Sequence, residues 1–194
     1  DHVTVSWTID EAFSSRNARN ITLQRSILAE ALNEAGHKNY PAGSRHGYAA
    51  SVGGDIASLH HNLLAHCAGR NWSLAGGLDS SGEYQGQLDI RNNVVYNWDG
   101  RTTDGGAHKV NFVNNYYKAG PATSRDQFLN PQRENVGTGT QDFYVTGNIM
   151  DNPDNEVGPE NQEDGITNPG ANYYKDEPFF PSFVTTQPAR EAYK

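Results

Sequence analysis

Residues 112–117 read Phe-Val-Asn-Asn-Tyr-Tyr, in which an apolar residue, two variable residues and an Asn precede two apolar residues. The same six-residue pattern, with Asn or Ser at its fourth position, recurs at irregular spacing along the chain. A bend that stays constant while the connections between copies vary in length is typical of one coil in a stacked solenoid. The five copies lie at residues 23–28, 59–64, 90–95, 112–117 and 145–150.

Each copy predicts a strand, a bend and a second strand. Residues 110–113 have the pattern of a strand, and Tyr116 and Tyr117 continue it beyond the bend. Asn tolerates the left-handed backbone angles of such a bend, and stacked Asn side chains can hydrogen-bond along a column. We therefore predict an all-β fold, a right-handed parallel β-helix. The alternative is a sandwich of β-hairpins, but hairpin turns would not hold an Asn at one position of a fixed frame.

Composition limits the classes of function. The chain has 194 residues, is 35% hydrophobic and carries a formal charge of −8. No stretch approaches the roughly 18 apolar residues of a membrane-spanning helix, and the acidic balance argues against nucleic acid as a partner. An acidic protein that handles an acidic polymer needs a basic patch or a bridging cation, and calcium prefers the carboxylate oxygens that this sequence supplies. The single cysteine, Cys67, excludes an intramolecular disulfide.

The repeats divide the chain into β-helix coils over residues 1–150 and a segment without the pattern over residues 151–194. The second segment predicts a loop rich in Asn, Pro, Gly and acidic residues, followed by an aromatic tail that packs on the flank of the helix. Residues 1–7 already have the pattern of an interior strand, with no capping segment before them. We therefore expect the chain to be the C-terminal part of a longer β-helix, whose missing N-terminal part would be a partner.

Three longer phrases resemble a known family. Residues 60–71 read His-His-Asn-Leu-Leu-Ala-His-Cys-Ala-Gly-Arg-Asn, residues 91–98 read Arg-Asn-Asn-Val-Val-Tyr-Asn-Trp, and residues 113–123 read Val-Asn-Asn-Tyr-Tyr-Lys-Ala-Gly-Pro-Ala-Thr. They resemble the pectate lyases of the first polysaccharide lyase family, most closely the bacterial members with compact β-helices. The opening Asp1-His2 is similar to the Asp-His of that family's Trp-x-Asp-His motif.

The resemblance implies a secreted or periplasmic enzyme that cleaves polygalacturonate or a related uronate polymer by calcium-assisted β-elimination. The family places an arginine base eight residues after the Asn of His-His-Asn, which is Arg70 here. A guanidinium normally stays protonated in proteins, but burial and neighbouring cations lower its pKa. The alternative is that Arg70 only pairs with a substrate carboxylate or an acidic neighbour.

The residues after Arg70 depart from the family. The family has Arg-x-Pro with a further basic residue soon after, whereas residues 70–74 read Arg-Asn-Trp-Ser-Leu. Trp72 is predicted to replace a basic contact by stacking on a sugar ring, and a shielded aromatic residue is the alternative.

The resemblance also implies calcium ligands just downstream of the Asp-His strand, where Asp10 and Glu11 are the matching carboxylates. Glu30 is a further candidate, and a solvated acidic turn is the alternative. A calcium ion there would hold the substrate carboxylate beside the base.

The loop at residues 36–48 is rich in cations and aromatic residues and is similar to the family's Lys-Gly-x-His-Gly-Tyr region. Lys38 and Arg45 are predicted to bind uronate carboxylates. His46 and Tyr48 form a second catalytic hypothesis, because unrelated lyases transfer protons through His or Tyr. His61 is a further candidate for substrate binding.

Two other functions stay open. A non-catalytic carbohydrate-binding or adhesin module is suggested by the missing second basic residue. A glycoside hydrolase would need clustered carboxylates. The candidates for that cluster are Asp55, Asp79, Asp89, Asp99 and Asp104.

Overall fold

The computed structural model of the protein describes residues 1–133 and 135–194. It is an all-β structure in which three parallel sheets, named A, B and C, run along a stack of coils. Successive strands along the chain enter sheet C, then sheet A, then sheet B, and each strand pairs with its equivalents in neighbouring coils. The prediction of a parallel β-helix is confirmed.

Sheet A contains the apolar pair that ends each copy of the six-residue pattern. The second residue of each pair points inward, and Leu64, Val95 and Tyr117 are all fully buried. The register places these residues directly against one another, so they form a continuous apolar column. The strands of sheet A are β1 (Thr4–Ser6), β4 (Ile27–Ala29), β7 (Leu63–Ala65), β10 (Val94–Tyr96), β13 (Tyr116–Lys118) and β16 (Ile149–Asp151).

Sheet C contains the strand that precedes each bend. The first apolar residue of the pattern points inward here, and Leu59, Ile90 and Phe112 are buried and in register. They form a second apolar column beside that of sheet A, so the core is continuous along the stack. The strands of sheet C are β3 (Arg19–Gln24), β6 (Asp55–His60), β9 (Gln87–Arg91), β12 (Lys109–Val113), β15 (Asp142–Thr146) and β17 (Tyr174–Lys175).

Sheet B closes each coil and has a polar outer face. Val52 and Leu74 belong to the core, whereas the alternating positions Ser51, Ser73 and Asp104 lie in register on the outer side. This face therefore offers a row of polar side chains from successive coils. The strands of sheet B are β2 (Phe13–Ser14), β5 (Ala50–Gly53), β8 (Ser73–Ala75), β11 (Thr103–Gly106) and β14 (Leu129–Pro131).

A ladder of buried Asn side chains joins the bends between sheets C and A. In the coil of Asn93, Oδ1 accepts hydrogen bonds from the backbone N and the Nδ2 of Asn62, at 3.1 and 3.0 Å. Its Nδ2 donates to the backbone O of Leu59 at 2.8 Å and to Oδ1 of Asn115 at 3.0 Å. Because these groups are buried, each bond satisfies a polar atom that would otherwise lack a partner.

The left-handed residue of each bend is the third residue of the pattern. The angle φ is +54° at His61, +51° at Asn92, +51° at Asn114 and +68° at Gly147. The left-handed angles, which Asn tolerates, thus fall on the residue before the fourth-position Asn. That Asn instead directs its side chain along the ladder, and the preceding residue makes the turn.

Gln162 ends the ladder after the last copy of the pattern. It lies in a short 3-10 helix, Gln162–Gly165. Its Oε1 accepts hydrogen bonds from the backbone N and the Nδ2 of Asn148, at 2.9 and 3.0 Å, and its Nε2 donates to the backbone O of Asn148 at 2.8 Å. Gln162 thus occupies the place that the Asn of a further coil would have.

Residues 151–194 add a strand, a tail and a short helix. Strand β17 pairs with β15 and extends sheet C. The chain then runs back along sheet C, where the Asn111 side chain accepts from the backbone N of Phe179 and donates to the backbone O of Phe180, both at 3.1 Å. Helix α1 (Ala189–Tyr193) lies on sheet A. Among the described residues, no helix is long and apolar enough to cross a membrane.

Replacing Asn93 with Ala is expected to lower the free energy of unfolding by about 3 kcal/mol, because it leaves several buried polar groups of the neighbouring coils without partners. Asn39→Ala, at an exposed loop position, is the matched control, with an expected loss below about 0.5 kcal/mol. Chemical denaturation followed by circular dichroism measures both values. Equal, small losses would show that the ladder does not stabilise the stack.

Cys67 is buried, and burial raises the pKa of its thiol to about 11. Since the thiolate is the reactive form, we expect iodoacetamide to label Cys67 at mildly alkaline pH only after unfolding. The unfolded chain loses this proton at lower pH than the folded one, so the stability contributed by the protonated thiol is lost as pH rises above the ordinary thiol pKa. Mass spectrometry of alkylated folded and unfolded protein tests the first expectation, and rapid labelling of the folded protein would contradict it.

Candidate active site

The candidate site lies on the outer side of sheet B, where side chains from successive coils meet. Glu11 precedes β2, Ser51 lies in β5, Arg70 precedes β8 and Arg101 precedes β11. The strands of the sheet are stacked in register, so these residues are brought together although they are distant in sequence.

The backbone next to Arg70 is shaped by a glycine. Gly69 forms an isolated parallel bridge with Tyr48. A Cβ atom at Gly69 would lie 2.9 Å from the Cβ of Arg101, so the absence of a side chain here lets Arg101 pass close to the backbone. Arg70 itself has a φ of +53°, which places it at a sharp bend just before the strand.

Arg70 is the centre of an ion-pair network. Its Nη1 donates to Oε1 of Glu11 in a close contact and to Oγ of Ser51 at 3.4 Å, and its Cζ lies 4.1 Å from the centroid of the Tyr48 ring. Ser51 Oγ donates to the same Glu11 oxygen at 2.7 Å. Arg16 Nη2 lies 3.0 Å from Ser51 Oγ and 3.5 Å from Glu11 Oε1. The Arg70 and Glu11 side chains are only 19% and 17% exposed, so the network is largely shielded from water.

Arg101 supplies a second cation with a fixed orientation. Its Nε and Nη2 donate to the two carboxylate oxygens of Asp104, at 2.6 and 3.0 Å. Its Cζ lies 5.4 Å from the centroid of the Tyr48 ring. Asp104 is buried, and a bidentate pair of this kind holds the guanidinium in one plane. Two guanidinium groups therefore share one tyrosine ring.

The pKa of Arg70 reflects opposing effects. Burial is the largest cause that lowers it, and the charge of Arg101 lowers it further. The carboxylates of Asp10 and Asp104 act in the opposite direction. The close ion pair with Glu11 also favours the protonated form. Arg70 is therefore a charged guanidinium in the resting protein, with a pKa below its ordinary value.

A polar groove continues from the Arg70 network along the outer side of sheet B. Arg16 belongs to both the network and the groove, and Asp104, the partner of Arg101, also lines the groove. Larger cavities of about 760 and 520 Å³ lie beside sheets A and C, without Arg70 or its partners. The groove on sheet B has a volume of about 480 Å³, and its lining includes Arg16, Asn17, Ser73, Asp104 and Gln132.

His46 is a buried residue of the loop at residues 36–48. Its ring stacks on Tyr40 at 4.6 Å and meets His37 edge-on at 5.6 Å. Within the described part of the chain, neither ring nitrogen has a hydrogen-bond partner. A polysaccharide does not reach a ring that is 1% exposed, so the structure does not support His46 as a proton-transfer group. Tyr48, by contrast, lies against Arg70.

Lys38 and Arg45 lie exposed on the same loop. The Nε of Arg45 is 3.1 Å from Oε1 of Glu34, in an ion pair open to solvent. Exposed pairs of this kind contribute little to stability, so Arg45 can exchange Glu34 for another anion. The loop reaches the site through Tyr48, whose hydroxyl donates to the backbone O of Arg45 at 3.4 Å.

Two residues predicted to bind substrate lie elsewhere. Trp72 is 0% exposed within the core, so it has no free ring face for a sugar, and the stacking prediction is wrong. His61 lies at the bend between sheets C and A, with Nδ1 2.9 Å from Nδ1 of His60 and Nε2 3.1 Å from Oε1 of Gln187. The core separates this bend from sheet B, so His61 does not join the Arg70 network.

The predicted calcium ligands do not form a complete site. Glu11 is engaged by the arginine network, and Glu30 lies 3.9 Å from His66. Asp10 accepts a long hydrogen bond of 3.4 Å from Tyr40, and its buried Oδ1 lacks a partner among the described residues. The described residues contain no group of three or more His, Cys, Asp or Glu side chains arranged to hold a metal. Calcium takes about six to eight oxygen ligands, so these residues do not fit it as a protein-only site.

Sequence reasoning missed Arg16, Ser51 and Arg101. The six-residue pattern marks only the strands of sheets C and A, and the connections to sheet B vary in length. One sequence signal could have identified Arg101. It lies shortly before the sheet B strand of its coil, and Arg70 has the same position in the preceding coil.

Trp72→Ala is expected to lower the free energy of unfolding by about 3–5 kcal/mol, because it empties a large, fully buried volume. Trp7, 73% exposed, provides the matched control, and Trp7→Ala is expected to cost below about 0.5 kcal/mol. Denaturation in guanidinium chloride measures both losses. A small loss for Trp72→Ala would indicate that this ring is at the surface in solution.

No protein-family model matches the chain. A protein named "Probable pectate lyase C" from Neosartorya fischeri is 33% identical over 174 residues, which cover 86% of this chain and 35% of the relative. Proteins of the same name from Aspergillus terreus and Emericella nidulans are 35% identical over 134 residues (66% of this chain, 27% of the relative) and 33% identical over 175 residues (86% and 34%). The chain thus spans about a third of the length of these curated relatives. They are fungal, so the resemblance to compact bacterial members stays a prediction. Over most of its length, the chain is similar in sequence to proteins of the pectate lyase type.

Proposed function

We propose that the chain carries the active site of a secreted or periplasmic polysaccharide lyase that cleaves polygalacturonate or a related uronate polymer. The similarity to proteins named probable pectate lyase C supports this proposal. The structural observation that carries it is Arg70, a partly buried guanidinium held against Tyr48 beside a polar groove on sheet B.

The charge distribution supports an acidic polymer as the ligand. The chain has a formal charge of −8, yet Arg16, Arg70 and Arg101 converge on one face of sheet B. Guanidinium groups match the planar geometry of carboxylates and bind them through paired hydrogen bonds. Lys38 and Arg45, on the exposed loop, are proposed as further contacts for the uronate chain.

The proposed reaction is β-elimination. Arg70 removes the C5 proton of a uronate, the electrons of that C–H bond form a C4–C5 double bond, and the bond from C4 to the glycosidic oxygen breaks. The leaving oxygen takes a proton from solvent, so the products are a shortened chain and an unsaturated uronate at the new non-reducing end. A cation beside the uronate carboxylate would stabilise the negative charge that develops during proton removal. Arg101, whose guanidinium lies beside the same Tyr48 ring as that of Arg70, is proposed for this role.

Arg70 must lose its own proton before it can act as a base. Burial and Arg101 already lower its pKa, and a substrate that covers sheet B excludes more water, which acts in the same direction. If Arg70 stays charged, it instead anchors a uronate carboxylate. The two roles differ in kinetics, because loss of a base lowers kcat whereas loss of an anchor that binds substrate and transition state equally raises KM.

Calcium assistance is a separate proposal. Asp10 offers a carboxylate oxygen without a partner among the described residues, but these residues do not complete a site. We therefore propose Asp10 as one ligand and assign no step of the reaction to the metal. Loss of turnover on addition of a chelator, restored by excess calcium, would support the requirement.

The structure gives no support to a glycoside hydrolase. Such an enzyme needs two carboxylates about 5 to 10 Å apart that face one ligand. Three of the five Asp candidates are divided between two sheets: Asp55 and Asp89 are paired with arginines on sheet C, whereas Asp104 lies on sheet B. A non-catalytic carbohydrate-binding module remains the alternative, and product formation decides between the two.

Incubation with polygalacturonate is expected to raise the ultraviolet absorbance through the conjugated product. Arg70→Ala is expected to lower kcat by about 10²- to 10⁴-fold, the usual contribution of a proton-transfer group. The protein should stay folded at the assay temperature but melt at a lower temperature, because the Glu11 carboxylate loses its closest partner. Arg19→Ala, which removes an exposed arginine of sheet C, is the matched control and should keep full activity. Retained kcat with a raised KM would make Arg70 an anchor, and binding without any product would leave a binding module.

A further inference from the structure

The Glu11 carboxylate is surrounded by hydrogen-bond donors from three coils. Its Oε1 accepts from Ser51 Oγ at 2.7 Å, from Arg70 Nη1 in a close contact and from Arg16 Nη2 at 3.5 Å. Ser51 is fully buried, and its hydroxyl also lies 3.0 Å from Arg16 Nη2 and 3.4 Å from Arg70 Nη1. One serine and two arginines therefore converge on a single carboxylate oxygen.

The electrostatics of this position disfavour a metal ion. A divalent cation bound to the Glu11 oxygen would stand next to two guanidinium groups, and like charges repel strongly where water is largely excluded. Asp10, the preceding residue, has different surroundings. Its Oδ2 faces Tyr40 and His37, at 3.4 and 4.0 Å, and its Oδ1 has no partner among the described residues. The two adjacent carboxylates therefore have different partners: Glu11 contacts arginines, whereas Asp10 contacts Tyr40 and His37.

The same contacts fix the guanidinium of Arg70. Glu11 and Ser51 hold Nη1, and the Tyr48 ring lies 4.1 Å from Cζ. The Nε of Arg70 is buried with no partner in the described part of the chain, so Glu11 is the charged group that directly restrains the side chain. Without such a restraint an arginine samples many rotamers, whereas a group that takes a proton must be held near the reacting atom.

We infer that Glu11 is a positioning residue for Arg70 and not a ligand of a metal ion. The inference rests on the proposed lyase function and deepens it, since it concerns the residue that orients the proposed base. It replaces the expectation that Asp10 and Glu11 hold calcium together. Asp10 is then the only one of the two that can serve a metal.

Kinetics on polygalacturonate test the positioning role. Glu11→Ala is expected to lower kcat by about 10²-fold, the usual cost of a misplaced reacting group, with KM changed by less than about threefold. Glu11→Gln keeps an acceptor for Ser51 and Arg70, so it should fold as the parent does and lose kcat by less than about tenfold. Asp55→Ala, which removes a carboxylate paired with Arg19 on sheet C, is the matched control and should be unaffected.

Calorimetric titration with calcium chloride, in the absence of polysaccharide, tests the second half of the inference. The Kd for calcium is expected to be the same for the parent protein and Glu11→Ala, and larger for Asp10→Ala. A Kd at least about tenfold larger for Glu11→Ala would overturn the inference, and so would an unchanged kcat or an effect confined to KM. An inactive parent protein, or full turnover by Arg70→Ala, would instead refute the proposed function itself.

Discussion

Every coil of this helix depends on the amide ladder at the bend between sheets C and A. Each Asn accepts from the backbone N–H of one neighbouring coil and donates to a backbone O, as Asn93 does toward Asn62 and Leu59. An amide is suited to this because it carries both donors and an acceptor in one plane. Once the bends are stacked, the remaining strands fall into register as well. The contact between Glu11 and Arg70 on sheet B therefore depends on the ladder, although the ladder lies at a different bend of the coil.

The fold could be predicted because the ladder leaves a local trace in the sequence, whereas the site leaves almost none. The apolar and Asn positions of sheets C and A lie within six residues of each other, but the sheet B strands carry no such frame, and β11 is Thr-Asp-Gly-Gly. Trp72 was misassigned because residues 70–74 lack the further basic residue of the family, and stacking of Trp72 on a sugar ring was predicted to replace that contact. Because side chains alternate along a strand and Ser73 faces outward, Trp72 faces the core. Arg70 was found through resemblance, and its partners Ser51 and Arg16 were not found at all.

The arginines of the candidate site are largely offset by ion pairs within the site itself. Arg16 and Arg70 pair with Glu11 and Arg101 pairs with Asp104, so three arginines face two carboxylates there, although the whole chain is strongly acidic. A uronate that enters exchanges one carboxylate partner for another, so its affinity is the difference between two ion pairs and not the full strength of one. Selectivity then depends on the uncharged polar side chains that line the groove, such as Asn17, Ser73 and Gln132, and on the reach of the arginines. Buried Asp104 and Ser51 hold Arg101 and Arg16 in place. The residues that form these ion pairs are Arg16, Arg70, Arg101, Glu11 and Asp104.

Gln162 ends the Asn ladder at one end of the stack of coils. A solenoid whose last bend exposed an unpaired Asn would offer a template on which the strands of another molecule could continue the pattern. Here the amide of Gln162 bonds to Asn148 through both its oxygen and its nitrogen, so the last bend is already satisfied from within the chain. The Gln162 side chain is one methylene longer than that of Asn and belongs to a 3-10 helix. It therefore does not set the register for a further strand. Another molecule that approached this bend would therefore find the polar groups of Asn148 already bonded.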